Sequence, residues 1–358
     1  MGSVSSELVR PAWPRASIVL LTAAAAVVVL GGIHAARGIL GPVFLALVLT
    51  ILVHPLRRYL SRRMPGWLVS TICVLVVFVV VAGLAVVLVI AGARFAALLG
   101  NYQDQFHDLL DDAISWLHGI GVSDDQVAKI ASGFDLGKLG GLITEALGEL
   151  AGVVSGLVFI LALCLFMAID GSRFPERLMD AAAGRSQLVT ALGGFARGTR
   201  RYLVVSTVFG LIVAVLDTIA LAILDIPAPW LWGLVAFLTN YIPNIGFVIG
   251  LVPPAILALL EDGFGRMVLV IVIYSALNLV IQSGIQPKVV GDAVGLSTTL
   301  TFVSLVFWSW IIGPVGAIMA VPLSLLMRAL LVDADPSTRW LVPLIANRDD
   351  EAPSPDSS

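Results

Sequence analysis

The sequence predicts an all-α membrane protein. The expected fold is a polytopic bundle of about eight transmembrane helices, two of them broken by glycine and proline, with a small extramembrane helical insert. Of the 358 residues, 59% are hydrophobic and 13% are charged, whereas soluble proteins average about 25% charged residues. The mean hydropathy is +1.01, and apolar runs long enough to cross a bilayer, about 20 residues each, recur along the chain. A soluble globular protein is therefore excluded.

The first three transmembrane helices are predicted within residues 16–94. The first is expected to be an uncleaved helix rather than a signal peptide, because a second apolar run follows almost at once. The second should end at His54-Pro55, since proline interrupts helical hydrogen bonds. After a polar tail of residues 1–15, the predicted spans are about 16–33, 40–53 and 67–93. The loop between the second and third is basic and contains Arg57, Arg58, Arg62 and Arg63.

Residues 95–150 differ in character and are predicted to form an extramembrane amphipathic helical region. Apolar residues recur at helical spacing from Phe95 to Leu117, with aspartates on the polar side. The segment carries nine acidic residues against Lys129 and Lys138. Two interpretations stay open: a small helical region that lies near the membrane surface or contacts a neighbouring subunit, and a plain solvated acidic loop.

Five further transmembrane helices are predicted within residues 151–332. A basic loop over residues 171–201 interrupts them, because six arginines there outnumber Glu176 and Asp180. The expected apolar spans are about 152–169, 202–224, 230–260, 267–285 and 300–331, followed by a partly disordered tail of residues 333–358.

The arginine-rich loops predict the orientation, because loops rich in arginine and lysine stay in the cytoplasm. Both Arg57–Arg63 and Arg173–Arg201 are therefore expected on the cytoplasmic side. Eight crossings then place both termini in the cytoplasm and residues 95–150 outside.

The stretch from Asn240 to Pro254 interrupts an apolar run at membrane depth. Proline removes a backbone donor, glycine allows close approach, and hydrocarbon cannot satisfy the freed backbone groups. In transporters such breaks often form the substrate site; a kinked structural helix is the alternative. The pathway candidates in this stretch are Asn240, Pro243, Asn244, Gly246, Gly250 and Pro253.

A second break of the same kind lies in the last apolar segment, where Gly313, Pro314 and Gly316 are pathway candidates. Two broken helices in the later half of a chain are typical of a transporter built from related units. Chance similarity in an apolar chain that contains glycine and proline is the competing explanation.

The span over residues 267–285 carries a polar stripe. Its members are four residues apart, so they share one face of the helix. The stripe is expected to line a pathway; hydrogen bonding between helices, worth about 0.6 kcal/mol per bond in membranes, is the alternative. The candidates are Tyr274, Asn278, Gln282 and Gln286, followed by Pro287 and Lys288.

Asp217 is the only acidic residue well inside an apolar run. An intramembrane carboxylate is costly and is by default a functional candidate, and a low dielectric disfavours its charged form. The alternative is a structural carboxylate bonded to a neighbouring helix. The polar stripe could supply uncharged groups close to Asp217 if the two helices pack together.

Motifs for nucleotide-driven or enzymatic chemistry are missing from the sequence. There is no G-x-x-x-x-G-K-[ST] loop and no Gly-x-Ser-x-Gly elbow, and the four histidines show no metal-ligand spacing. Cys73 and Cys164 fall within apolar runs, where packing rather than a disulfide is expected. We therefore expect no catalytic residue, no metal, no cofactor and no nucleic-acid partner.

Three sequence blocks follow one another in the second half of the chain. They are Asn240-Tyr241-Ile242-Pro243-Asn244-Ile245-Gly246 with Gly250 and Pro253-Pro254; Gln286-Pro287-Lys288-Val289-Val290-Gly291 with Gly295-Leu296; and Phe307-Trp308-Ser309-Trp310-Ile311-Ile312-Gly313-Pro314-Val315-Gly316 with Ala320-Val321-Pro322. In content, order and spacing they resemble the autoinducer-2 exporter family, also called PerM-like permeases. In the first block Asn244 stands where the family usually has an aromatic residue, and Phe247 where proline is common.

The resemblance implies a multi-pass secondary transporter or exporter of the bacterial inner membrane. Members are associated with export of the signal autoinducer-2, a small polar solute, and some with sodium/proton antiport, so both functions stay open. The alternative from another class is a membrane protein that does not transport and instead recruits or scaffolds a partner. The expected partners are the lipid bilayer, a small-molecule or ion substrate and further copies of the chain in a homo-oligomer.

Overall fold

The computed structural model describes residues 15–102, 156–167, 169–170, 186–243, 245–286, 296–335 and 337–338, with isolated positions between 104 and 148. Throughout these residues the regular structure is helical and no strand occurs, which confirms the predicted all-α bundle. Four of the described helices are long and apolar enough to cross a membrane. The predicted N-terminal tail, most of the predicted extramembrane region, residues 171–185 and most of the C-terminal tail lie outside the described residues.

The helices of the described chain are numbered here in chain order. They are α1 (Arg15–Ala35), α2 (Arg37–Leu60), α3 (Gly66–Asn101), α4 (Gly156–Met167), α5 (Ser186–Ile223), α6 (Pro229–Thr239), α7 (Gly246–Asp262), α8 (Phe264–Asn278), α9 (Thr298–Ile312), α10 (Pro314–Ile318) and α11 (Ala320–Arg328). α8 continues as a π-helix over Leu279–Ile285, and α11 over Ala329–Asp333. The four helices able to span a membrane are α2, α3, α5 and α8 with its π-helical continuation.

α2 continues through Pro55 to Leu60, so the prediction that His54-Pro55 closes this helix is wrong. A proline inside a helix leaves the carbonyl four residues earlier without its usual backbone donor. Here that carbonyl belongs to Ile51, and Arg200 Nε of α5 donates to it at 3.3 Å. A side chain from another helix thus replaces the missing bond. The contact also places the C-terminal half of α2 and the N-terminal half of α5 at the same end of the bundle.

α5 begins at Ser186, about four turns before the predicted start at Tyr202, so the later part of the predicted basic loop is helical. Ala191, Phe195 and Thr199 are buried along this part. The arginines alone suggest a solvated loop, but a buried stripe at a spacing of four residues packs the segment against the bundle as a helix.

α3 runs without a break to Asn101, past the predicted boundary between residues 94 and 95. At 1.5 Å per residue it extends about 54 Å, well beyond a hydrocarbon core of about 30 Å. Phe95 and Leu99, from the predicted amphipathic stripe, are buried. The Phe95 ring packs edge-on against Trp232 of α6, with ring centroids 5.4 Å apart. The start of the predicted extramembrane region therefore packs on the helix bundle.

The first predicted break is a hairpin of two short helices, α6 and α7, which pack on each other. They extend about 16 and 26 Å, so each is shorter than the hydrocarbon core of about 30 Å. A Cβ on Gly246 would overlap the carbonyl oxygen of Thr239, and a Cβ on Gly250 would lie 3.0 Å from the Cα of Ala236. This is the close backbone approach that glycine permits. Gly246 contacts Thr239, and Gly250, one turn later, contacts Ala236, one turn earlier in α6. The two helices are therefore antiparallel, and the end of α7 lies beside the start of α6.

The second predicted break also bends the chain back on itself. Gly313 has φ of +83°, a conformation that glycine adopts without steric cost, and it separates α9 from α10. Gly316 lies on the carbonyl of Trp308. α11 packs on α9, and Trp308 Nε1 donates to Ser324 Oγ at 3.0 Å. In both breaks a glycine rests on a backbone carbonyl about two turns earlier in the chain.

Candidate functional site

The tip of the α6–α7 hairpin is held against the middle of α5. Asn240 Nδ2 donates to the carbonyl of Ser206 at 3.0 Å. The hydroxyls of Thr207 and Tyr241 are 2.7 Å apart, and Tyr202 donates its hydroxyl proton to the carbonyl of Tyr241 at 3.0 Å. These bonds compensate the irregular backbone of the tip with polar partners from α5, as a break at membrane depth requires.

The polar stripe of α8 reaches the same tip. Gln282 Nε2 donates to Oδ1 of Asn240 and to Oδ1 of Asn278, at 2.8 Å in each case. Asn278 Nδ2 in turn donates to the carbonyl of Tyr274 at 3.0 Å. Gln282 lies in the π-helical continuation, a winding found frequently at functional sites. A continuous network of amides, which we call the amide network, thus joins α5, the hairpin tip and α8.

Asp217 of α5 lies beside this network and is fully buried. Neither of its carboxylate oxygens has a hydrogen-bond partner within the described part of the chain, and the same is true of the Tyr274 hydroxyl. Both side chains face a cavity too narrow to hold an ordered water molecule. The residues that line this cavity are Val213, Asp217, Ala236, Asn240, Phe247, Tyr274 and Asn278.

The buried polar face of α5 follows the helix across most of the bundle. Tyr202 and Asp217 are separated by about 22 Å of helix at 1.5 Å per residue, compared with a hydrocarbon core of about 30 Å. Tyr202, Ser206 and Asp217 are buried. The opposite face of α5 is apolar and exposed, with Val204, Val208, Leu211 and Val215. α5 therefore turns polar groups towards the hairpin and α8, and aliphatic groups towards lipid.

The structure brings five of the predicted pathway residues into one cluster, which we call the Asp217 cluster: Asp217, Asn240, Tyr274, Asn278 and Gln282. The sequence predicts that the polar stripe lies close to Asp217 if their two helices pack together. These helices are α5 and α8, and they are in contact.

The remaining predicted pathway residues lie around the cluster, away from it, or outside the described chain. Gly246, Gly250 and Pro253 belong to α7, and the carbonyl of Pro243 accepts from the N–H of Ile245 at 2.7 Å within the hairpin turn. Gln286 follows the π-helical turn, beyond the amide network. The second break, with Gly313, Pro314 and Gly316, packs near α2 and does not line the Asp217 cavity. Asn244, Pro287 and Lys288 lie outside the described residues.

Sequence reasoning missed the face of α5 that receives the hairpin, although a signal was present. Small or hydroxyl-bearing residues recur there every four positions, a spacing that lets membrane helices approach closely. A Cβ on Gly210 would lie 2.5 Å from Asn240 Nδ2, and a Cβ on Gly233 of α6 would overlap the Thr218 hydroxyl. The residues of this face are Tyr202, Ser206, Gly210, Ala214 and Thr218.

The fold and the Asp217 cluster define a class of protein, a multi-pass helical membrane protein with a polar centre built around an internal helical hairpin. No three His, Cys, Asp or Glu side chains among the described residues could together hold a metal ion. The chain belongs to the AI-2E transporter family: the model described as "AI-2E family transporter" matches residues 21–334. This match confirms the resemblance found in the three sequence blocks.

Relatives with similar sequences are transport proteins by name. The AI-2 transport protein TqsA of Escherichia coli (strain K12) is 31% identical over 306 residues, which cover 85% of this chain and 89% of TqsA. The putative transport protein YhhT of the same strain is 29% identical over 307 residues, 86% of this chain and 88% of YhhT. A putative transport protein of Haemophilus influenzae is 27% identical over 337 residues, 92% and 97% of the two chains. The similarity therefore covers most of the length of each relative, and these relatives are named as transport proteins and not as enzymes.

Proposed function

We propose that this chain is a secondary transporter that exports a small polar solute, with an autoinducer-2-like signal as the first substrate to test, or that exchanges a cation for protons. The observation that carries the proposal is the buried carboxyl of Asp217, which has no partner among the described residues and lies beside the amide network. The name of TqsA, an AI-2 transport protein, supports the choice of the first substrate.

The amide network suits the recognition of an uncharged polar solute. In the closed arrangement the amides of Asn240, Asn278 and Gln282 bond to one another and to the carbonyls of Ser206 and Tyr274. Each offers donors and acceptors that a solute hydroxyl could engage instead. Because the cavity is too narrow even for water, solute entry requires the hairpin and α8 to separate. The Gln282–Asn240 bond joins these two parts and must break in that step.

Asp217 is the proposed proton carrier. A carboxyl in a low dielectric favours its neutral form, and contact with water in an open state allows it to ionise. Among the residues that line the cavity, the only other titratable side chain is Tyr274, a phenol that keeps its proton at neutral pH. Opening of the cavity is thereby coupled to the gain and loss of one proton, as in other intramembrane proton relays.

In the proposed orientation both termini are cytoplasmic. The contact between Arg200 and Ile51 supports it, because it brings the two basic segments to one end of the bundle. At the opposite end, α3 and α7 meet through the hydrogen bond from the Tyr102 hydroxyl to Glu261 Oε1 at 3.3 Å. The positive-inside rule assigns the arginine-rich end to the cytoplasm.

Single cysteines at Ser61 and Gly265 test this orientation, in a background with Cys73 and Cys164 replaced by alanine. Ser61 follows α2 at the basic end, Gly265 is the second residue of α8 at the other end, and both are exposed. A membrane-impermeant maleimide added to intact cells should label Gly265→Cys at once and Ser61→Cys only after permeabilisation. Labelling of both positions from outside, or the reverse pattern, contradicts the proposed orientation.

Transport itself is tested with Gln282→Leu in proteoliposomes under an imposed pH or sodium gradient. Leucine removes an amide that the solute would engage in the open state, and the loss of such a bond costs about 1–3 kcal/mol. Since about 1.4 kcal/mol is a factor of ten, we expect flux to fall by about fivefold or more. The matched control is Gln286→Leu, one turn further on and outside the amide network, which should stay close to the wild-type flux.

The outcome also separates the transporter from the alternative, a membrane scaffold that recruits a partner. A folded wild type without flux of any tested solute would favour the scaffold, as would flux in the wild type and both glutamine variants equal to that of protein-free liposomes. Equal flux above that background would instead exclude the amide network from the pathway. The proposal further includes assembly with additional copies of the chain in a homo-oligomer.

A further inference from the structure

A second cavity lies between α2, α3 and α4, apart from the Asp217 cluster. It is partly open to the surface, and its interior has room for about two water molecules. Its buried walls include the free thiols of Cys73 and Cys164, whereas His54 is exposed and Arg57 half-buried. The lining residues are Thr50, Val53, His54, Arg57, Cys73, Val74, Val77 and Cys164.

Positive charge gathers at the exposed side of this cavity. Arg57 lines it, and Arg57, Arg58 and Arg200 all lie close enough to His54 to act on it electrostatically. Arg200 is held there by its bond to the carbonyl of Ile51. Within the described chain, none of these three arginines forms an ion pair with a carboxylate. The cavity mouth therefore presents a cationic surface with no carboxylate paired to it among the described residues.

The inner part of the cavity is apolar and adjoins the lipid-facing side of α3. Val74 and Val77 line the cavity, while their neighbours Leu75 and Val76 are exposed on the membrane-facing surface of the helix. The Thr50 hydroxyl, the polar group deepest along α2, is occupied by its bond to the carbonyl of Ala46 at 2.7 Å. A ligand that covers this cavity from its open side must therefore be anionic near Arg57 and apolar where it meets α3.

We propose that this cavity binds an anionic phospholipid, whose phosphate contacts Arg57 and whose acyl chain packs against Val74 and Val77. Basic pockets between membrane helices at the cytoplasmic surface are suited to anionic lipid headgroups. A soluble phosphate would satisfy the arginines but leave the apolar walls uncovered, whereas a phospholipid matches both. The assignment of this lipid to the cytoplasmic leaflet rests on the proposed orientation, whereas the contacts themselves do not.

The two native thiols report directly on whether the cavity is filled. Full-length protein is placed in nanodiscs of phosphatidylcholine alone or of phosphatidylcholine with phosphatidylglycerol. The rate of alkylation of Cys73 and Cys164 by N-ethylmaleimide is then followed by mass spectrometry. Phosphatidylglycerol should slow alkylation about tenfold, the protection that corresponds to a ligand at about ten times its dissociation constant.

Variants distinguish a specific site from general attraction to the basic loop. For each variant, the alkylation rate in phosphatidylcholine nanodiscs is divided by the rate in nanodiscs that contain phosphatidylglycerol. Because both rates come from the same variant, any effect of Arg57 on thiol reactivity cancels. Arg57→Gln should bring this ratio close to one, and Arg57→Lys, which keeps the charge, should restore most of the protection. Arg62→Gln, in the loop that follows α2 and not lining the cavity, should protect as the wild type does.

Three results would overturn the proposal. Protection that survives in Arg57→Gln would show that the phosphate is not held by Arg57. Loss of protection in Arg62→Gln as well would indicate diffuse attraction to the loop. Protection by inorganic phosphate added to phosphatidylcholine nanodiscs would make the cavity a site for a soluble anion. None of these measurements depends on transport, so the lipid site and the transporter function can fail separately.

Discussion

Replacing Asp217 by asparagine should abolish the pH dependence of transport and leave the fold intact. Asparagine keeps the size and hydrogen-bonding capacity of the side chain but cannot release a proton. For an exporter that exchanges solute for entering protons, protonation of Asp217 from outside is favoured as the external pH falls. Wild-type efflux should therefore rise with acidification, by up to about tenfold per pH unit where a single group titrates. The Asp217→Asn profile should be flat.

The measurement is solute efflux from proteoliposomes against external pH, with thermal unfolding of each protein as the check on folding. The matched control is Tyr274→Phe, which removes the other titratable group of the cavity. Because a phenol does not titrate near neutral pH, this variant should keep the slope of the wild type. A wild-type slope in Asp217→Asn would identify Asp217 as a structural carboxyl and place any proton coupling elsewhere.

A single methyl group added at Gly246 should strongly destabilise the hairpin. The Cβ of an alanine would overlap the carbonyl of Thr239, and a backbone atom cannot move aside as the end of a flexible side chain can. Overpacking usually costs about 1–3 kcal/mol, and we expect Gly246→Ala to lie at or above the top of that range. The measurement is the thermal unfolding midpoint of the purified protein, together with its transport activity.

Gly265→Ala is the matched control, because Gly265 also lies in the first turn of a helix but has open space where its Cβ would be. Alanine is favoured over glycine in a helix by up to about 1 kcal/mol, so this variant should be unchanged or slightly stabilised. Equal unfolding midpoints for the two alanine variants would mean that the close approach of α6 and α7 is not needed for stability.

Both experiments concern features that the sequence partly anticipated. The glycines of the two breaks were expected to permit close backbone approach, and Gly246 and Gly316 each lie on a carbonyl. The breaks are nevertheless turns between helices rather than kinks within one. A turn between two helices and a kink within one helix have the same glycine and proline content. These residues interrupt a helix, but they do not specify the direction of the chain after the interruption.

Helix ends were the weakest part of the sequence-based prediction, for a physical reason that two places illustrate. Pro55 does not end α2, because Arg200 replaces the donor that proline lacks. The segment before Tyr202 is helical, because Ala191, Phe195 and Thr199 find a buried surface. In each case the deciding partner is distant in sequence, and local propensity is a weak guide where tertiary contacts compensate.

The amino-acid sequence alone was enough to predict the fold class and the family, and it supplied the candidate pathway residues as a hypothesis. Hydrophobic length and charge distribution are local quantities, and they suffice to predict an α-helical membrane protein. Which of the candidate residues lie in contact became apparent from the packing of the helices. Asp217, Asn240 and Gln282 come from three separate elements, and they lie together because small residues on α5 admit the hairpin while α8 packs beside it. Such proximity depends on helix packing across long sequence separations, for which no single stretch of sequence holds the information.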